Sequence, residues 1–194
     1  VDTVEEGTTP SITTMSTASD DELIRWSQSG DREAFGALVR RHQRSALRIA
    51  TVALGSPTDA PDVTQEAFIK AFRAIGRFKN GQRFEPWLFR IVTNTAKNYQ
   101  RSSFRRDALA NRVSALAVVP EPGPGDVLVQ QVESERVVNA LNTLAYPDRL
   151  ILTYRWYEQL SEAEIAHALG CRKGTVKSRL SRATARLRAA MEER

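Results

Sequence analysis

The strongest constraint on the fold is a break. Pro120-Glu121-Pro122-Gly123-Pro124-Gly125-Asp126 holds three prolines and two glycines in seven residues. Proline removes a backbone donor and glycine adds chain entropy, so this stretch is a linker rather than a packed element. On both sides of it apolar residues recur every three to four positions, and nowhere do they alternate over a useful length. The chain is therefore expected to be all-α, two small helical domains joined by a flexible tether. Its 194 residues leave each half an ordinary small size. The expected limits are a domain at 20–106, a linker at 107–126 and a second domain at 127–194. Residues 1–19, rich in Thr and Ser and without periodicity, are expected to form a disordered tail. Within that tail, Met15 is an alternative translation start to Val1.

Composition removes several function classes. The 41% hydrophobic residues can fill two cores, and 26% charged residues with a mean hydropathy of −0.39 describe a soluble protein. The longest apolar run, Ala115 to Val119, is far short of the ~18 residues a membrane span needs. The first 22 residues carry six acids and no Lys or Arg, which is unlike a secretory signal. One cysteine, Cys171, excludes a disulfide framework and fits a reducing cytoplasm, where it reads as a small turn residue. The two histidines, His42 on an apolar stripe and His167 on a polar face, are far apart, so neither metal nor cofactor is expected. No phosphate loop, nucleophile elbow or HExxH pattern points to an enzyme. The net charge of +5 and pI near 9.7 point mildly to a polyanion.

In the N-terminal half, Asp20-Asp21-Glu22 opens a short helix that stops at Gly30, and Asp31 starts a longer one that ends at Leu54-Gly55-Ser56-Pro57. A third helix, from about Pro61 to Ile75, has Val63, Ala67, Phe68, Ala71, Phe72 and Ile75 as its apolar stripe. Its outer face carries Asp62, Gln65, Glu66, Ile69, Lys70 and Arg73. A polar loop from Gly76 to Arg83 includes Lys79, Asn80 and Gln82. The fourth helix, about Phe84 to Arg106, points Trp87, Leu88, Ile91, Val92, Thr95 and Tyr99 inward. Arg90, Asn94, Lys97, Asn98 and Arg101 lie on its other face. Charge and stacking-capable residues therefore meet on one surface.

In the C-terminal half, a helix is expected from Val127 to Leu144. Another opens at Pro147 and runs through Leu150, Ile151, Tyr154 and Trp156. Ser161 with Glu164 three residues on is a capping box. Ile165, Ala168 and Leu169 face inward, Gly170 permits a tight turn, and Val176, Leu180, Ala183 and Leu187 form the inner stripe of a long final helix. Two short-range helices around a tight turn make a helix-turn-helix. Its outward residues include Arg172, Lys173, Lys177, Ser178, Ser181, Arg182 and Arg186, and from 172 to 194 there are eight basic residues and two acids. Arginine and lysine donate to guanine edges, and hydroxyls reach bases or phosphates. Six phosphate contacts would give a log–log salt slope of about −5.

The stretch LSEAEIAHALGCRKGTVKSRLSRATARLR resembles the C-terminal promoter-reading domain of bacterial extracytoplasmic-function (ECF) sigma factors. APDVTQEAFIKAF resembles their polymerase-binding helix, and FEPWLFRIVTNTAKNYQRSSFRR their −10-reading helix. The resemblance spans about 20–106 and 127–190. It implies a cytoplasmic, non-enzymatic transcription initiation subunit. Its partners would be core RNA polymerase (β′ clamp helices and β flap), promoter DNA and an anti-sigma protein. By this resemblance Asp62, Gln65 and Glu66 face the polymerase. Lys79, Asn80, Gln82, Arg83, Asn94, Lys97, Asn98 and Arg101 hold the −10 strand. Lys177, Ser178, Ser181 and Arg182 meet the −35 element, while Arg172, Lys173, Thr175 and Arg179 hold phosphates. Trp87 and Tyr99 read as core residues. Ser56-Pro57-Thr58 departs from the plainer acidic turn expected before the polymerase-binding helix.

About 20 linker residues reach ~66 Å when extended, near two B-DNA turns of ~34 Å each, but span only ~25 Å as a relaxed coil. Both halves therefore reach one promoter only with the tether stretched. The competing reading is a stand-alone helix-turn-helix regulator whose N-terminal half senses a ligand or dimerises.

Overall fold

The computed structural model describes residues 15, 17–107, 137 and 140–192. The expected linker beyond 107 and most of the helix expected at 127–144 lie outside them. Among the described residues every regular element is helical. The N-terminal domain contains α1 (Asp20–Gln28), α2 (Arg32–Leu54), α3 (Ala60–Ala74), a 3₁₀ turn (Ile75–Arg77) and α4 (Phe84–Asp107). The C-terminal domain contains α5 (Tyr146–Leu152), a π turn (Thr153–Tyr157), α6 (Glu162–Leu169) and α7 (Lys173–Glu192).

Of the tail expected at 1–19, residues 1–14 and 16 lie outside the described residues; within the rest, Met15 is only 1% exposed and Ala18 is buried with it in the apolar core, against the expectation of disorder. An unbranched thioether fills an irregular gap that no periodic pattern announces. Arg41 fixes this entry by donating to the Ala18 carbonyl at 2.7 Å. Ser19 then caps α1 in a capping box: its hydroxyl accepts from Glu22 N–H at 3.3 Å, and its own N–H donates to the Glu22 carboxylate at 2.8 Å. Asp31 caps α2 by accepting from Glu33 and Ala34 N–H, and Gly55 ends it at φ 72°, a left-handed turn that glycine adopts without strain. Gln100 on α4 donates to the Ala53 and Leu54 carbonyls at that end, satisfying acceptors the helix leaves free. The unusual turn before α3 leaves Asp59 at its N-cap without a side-chain bond, and Pro61 occupies the first turn instead.

Small buried residues let the helices approach closely. Ala34, Ala46, Ala50, Ala60, Ala67, Ala71 and Ala96 are fully buried where α2, α3 and α4 pack together. The loop after α3 is pinned by Gln28, which donates to the Ile75 and Phe78 carbonyls at 3.0 and 2.9 Å. Phe78 packs edge-on against Phe84 and Trp87 beneath it, and those two rings are tilted against each other. Trp87 and Tyr99 are half-buried against the core, and His42 is buried beside Phe84, paired with Asp20 at 2.7 Å.

The helix expected to open at Pro147 and run through Leu150, Ile151, Tyr154 and Trp156 ends in a π turn, in which the Glu158 N–H bonds to the Thr153 carbonyl, a five-residue step that widens the turn. Tyr154 is completely buried, whereas Trp156, two residues further round the helix, is 65% exposed.

The two domains are not held apart. Their buried residues form one continuous apolar cluster, with α4 against α6 and α2 against α5. Tyr154 stacks on Phe89 with ring centres 5.8 Å apart, and its hydroxyl lies 2.6 Å from Thr93 Oγ1. Arg48 donates to Glu158 at 2.6 Å and covers the Tyr157 ring at 4.3 Å. Arg83 pairs with Glu164 at 3.1 Å.

Candidate nucleic-acid interface

The helix-turn-helix follows from local chemistry. Ser161 N–H donates to the Glu164 carboxylate at 2.7 Å and its hydroxyl accepts from Glu164 N–H at 3.3 Å, starting α6. Gly170 at φ 64° and ψ 39° ends it, and the Cys171 N–H bonds to the Ala166 carbonyl. Cys171 is half-buried in the turn. Val176 and Ala183 are fully buried, with Leu180 and Leu187 packed against the core. The opposite face of α7 then stands in solvent. Arg172, Lys173, Lys177, Ser178, Arg179, Ser181 and Arg182 are exposed and Thr175 is half-buried. Arg182 Nε donates to the Ser178 carbonyl at 3.2 Å, which lays the guanidinium along the helix.

In the N-terminal domain, Asp62, Gln65, Glu66 and Ile69 form an exposed edge of α3 over the buried Val63, Ala67 and Phe68. Glu66 pairs with Lys70 at 2.7 Å, leaving Asp62 and Gln65 as the edge's forward groups. Lys79, Asn80, Gln82 and Arg83 are exposed in the loop before α4. Asn94, Asn98 and Arg101 are exposed along α4, and Lys97 is half-buried.

The seam between the domains gathers several of these residues. Arg83 is clamped by Glu85 at 3.2 Å and Glu164 at 3.1 Å; burial alone would lower its pKa, but the two carboxylates outweigh that and raise it. Burial would likewise raise Glu164, yet the Ser161 bonds and the Arg83 charge hold its carboxyl below the usual range. The Arg90 guanidinium lies so near Gly170 that a β-carbon there would sit 3.8 Å from it. Lys97 opens into one cleft with Arg179, Arg182 and Arg186. The loop residues Lys79 and Asn80 and the α3 edge do not join that cleft. Phe89 and Thr93 are completely buried against the second domain. They lie on the side of α4 not assigned to its core, although Phe89, Thr93 and Ala96 stand at helical spacing and mark a second apolar face.

A helical module with an acid–amide edge and a basic, amide-rich helix, followed by a helix-turn-helix with an exposed basic and hydroxyl face, defines a two-domain DNA-binding protein. Family models agree domain by domain: Sigma-70 region 2 matches residues 38–106 and Sigma-70 region 4 matches residues 134–187. The chain is 36% identical over 173 residues to the ECF RNA polymerase sigma-E factor of Escherichia coli K12, covering 85% of this chain and 90% of that one. It is 37% identical over 173 residues to the sigma-E factor of Haemophilus influenzae, covering 85% and 91%. Among solved structures, CnrH in complex with the cytosolic domain of CnrY superposes with TM-score 0.63 at 29% identity, covering 90% of this chain and 97% of that one. The sigma factor RpoE in complex with the anti-sigma factor NepR from Bartonella quintana gives TM-score 0.61 at 28% identity, covering 76% and 91%. The chain belongs to the ECF sigma factors of the sigma-70 family. Among the described residues no helix is long and apolar enough to cross a membrane.

Proposed function

We propose that this protein binds core RNA polymerase in the cytoplasm and directs promoter-specific initiation. The observation that carries the reading is the exposed face of α7, where Lys177, Ser178, Ser181 and Arg182 stand together above a buried apolar stripe. An α-helix so equipped fits the major groove, and Arg172, Lys173, Thr175 and Arg179 flank it as phosphate contacts. Ser181 is short, so its base contact runs through water or to a near edge. The single strand of the −10 element is held by Lys79, Asn80, Gln82, Arg83, Asn94, Lys97, Asn98 and Arg101, whose cations follow the backbone while amides read unstacked bases. Asp62, Gln65 and Glu66 present the polymerase-facing edge of α3. An anti-sigma protein is the expected regulator, as in the CnrH–CnrY and RpoE–NepR complexes.

Promoter engagement requires the seam to open, because two elements about two DNA turns apart cannot both be reached from one packed body. Run-off transcription with purified core polymerase on genomic upstream regions tests the proposal. Specific transcripts are expected. DNA binding without any initiation would instead favour the stand-alone regulator.

A further inference from the structure

We propose that the cleft at the domain seam is a binding site for a compact polyphosphate anion, which holds the closed arrangement. The cleft has a volume of about 480 Å³ and is walled by Lys97 of α4, Tyr146 and Asp148 of α5, and Arg179, Arg182 and Arg186 of α7. Four cations from both domains face it, against one carboxylate. That carboxylate is already engaged, because Asp148 is paired with Arg186. Lys97, Arg179 and Arg182 have no ion-pair partner among the described residues. Like charges brought to opposite walls of one cleft repel each other, so closing the seam costs free energy here unless an anion is present. Arginine forks and a lysine point charge are the groups that grip phosphate. The volume exceeds that of a single phosphate and suits a chain of phosphates or a nucleoside polyphosphate, whose base would meet the Tyr146 ring.

The site differs from the promoter-reading surface in needing both domains at once. A ligand here fixes Lys97 of one domain to Arg179 and Arg182 of the other. It also occupies two arginines assigned above to −35 DNA, a consequence that rests on the proposed function, whereas binding itself does not.

The test is calorimetric titration of the full chain with inorganic tripolyphosphate and, separately, with ATP, in the absence of DNA and polymerase. One-to-one binding is expected at physiological ionic strength, about 0.15 M. Lys97→Ala and Arg179→Ala should each weaken it about tenfold or more, the loss of one charge-assisted contact. Arg188→Ala, on α7 but outside the cleft, should leave it unchanged. Small-angle scattering should show a compact particle whose radius of gyration falls or holds on binding. Tighter ATP than tripolyphosphate assigns the base to Tyr146, and equal affinity assigns the phosphate chain alone; either supports the site. Affinity weaker than about 1 mM, or an equal loss from Arg188→Ala and Lys97→Ala, overturns it. Neither outcome depends on whether the protein initiates transcription.

Discussion

The bond between Thr93 and Tyr154 is the sharpest place to test how the two domains communicate. It lies 2.6 Å long in a completely buried setting, and the Phe89 ring is stacked against the same phenol. Burial drives the Tyr154 pKa well above its ordinary value, so the phenol is neutral across the physiological range and the bond is between uncharged hydroxyls. Tyr154→Phe keeps the ring and strands the Thr93 hydroxyl without its phenol partner, at a cost of about 1–3 kcal/mol. Thr93→Val leaves the phenol only a long 3.5 Å bond to the Phe89 carbonyl and should cost somewhat less. The double variant removes both polar groups and should cost less than the sum, leaving a coupling of roughly 1 kcal/mol by urea or thermal denaturation. Because the bond joins the domains, its loss should act first on opening. A closed state destabilised by 1–2 kcal/mol populates the open state roughly 5–30-fold more, and apparent affinity for promoter DNA rises by the same factor while the closed state dominates. Additive stabilities, with coupling below ~0.5 kcal/mol, together with unchanged DNA affinity would refute the reasoning.

Three further outcomes are expected. Burial alone would raise the Asp20 pKa, but His42 and Arg41 hold it below the ordinary 3.8, so the stability it contributes is present above that value and lost as pH falls through the lower folded value; in acid titrations Asp20→Asn should flatten this loss. Arg182→Ala should weaken −35 duplex binding by roughly 1–3 kcal/mol and relax sequence preference, whereas equal losses on scrambled DNA would assign Arg182 to phosphate alone. Deleting ten residues from 107–126 shortens the tether's reach by ~33 Å; promoter activity should vanish while polymerase binding persists, and unchanged activity would rule out the stretched-tether requirement.

Local helical chemistry was legible in the sequence because it is written in short-range patterns. Asp31, Gly55, Ser161 and Gly170 each start or end a helix where capping rules place them, and the inner stripe of α7 is the one its spacing implies. What periodicity missed depends on distant partners. Met15 is buried in the apolar core, in a tail whose Thr-rich composition signals the opposite. Phe89 and Thr93 were hidden by the assumption that α4 has one apolar face, when a second domain covers another. The residues expected at the DNA are exposed apart from the half-buried Lys97 and Thr175, but the meeting of Lys97 with Arg179 belongs to the domain packing alone.

That packing bears on how such a subunit is kept from DNA until it is wanted. Separating the domains would uncover the facing parts of Phe89 and Tyr154, two rings that are completely buried in the closed form. If about half of each ring's 150–250 Å² is covered by the other domain, their re-exposure costs roughly 4–6 kcal/mol at 25 cal/mol per Å². A free chain with such a gap would be open in only about one molecule per thousand to twenty thousand. The charge repulsion around Lys97 reduces that gap, and an anion in the cleft restores it. Promoter DNA alone is then a poor opener, because each domain's contact must first offset the separation. A large partner that binds both domains at once in their separated positions supplies the difference, since only differential affinity shifts a conformational equilibrium. On this account core polymerase does more than deliver the subunit to DNA: a partner that engages both domains in their separated positions makes the open form the stable one.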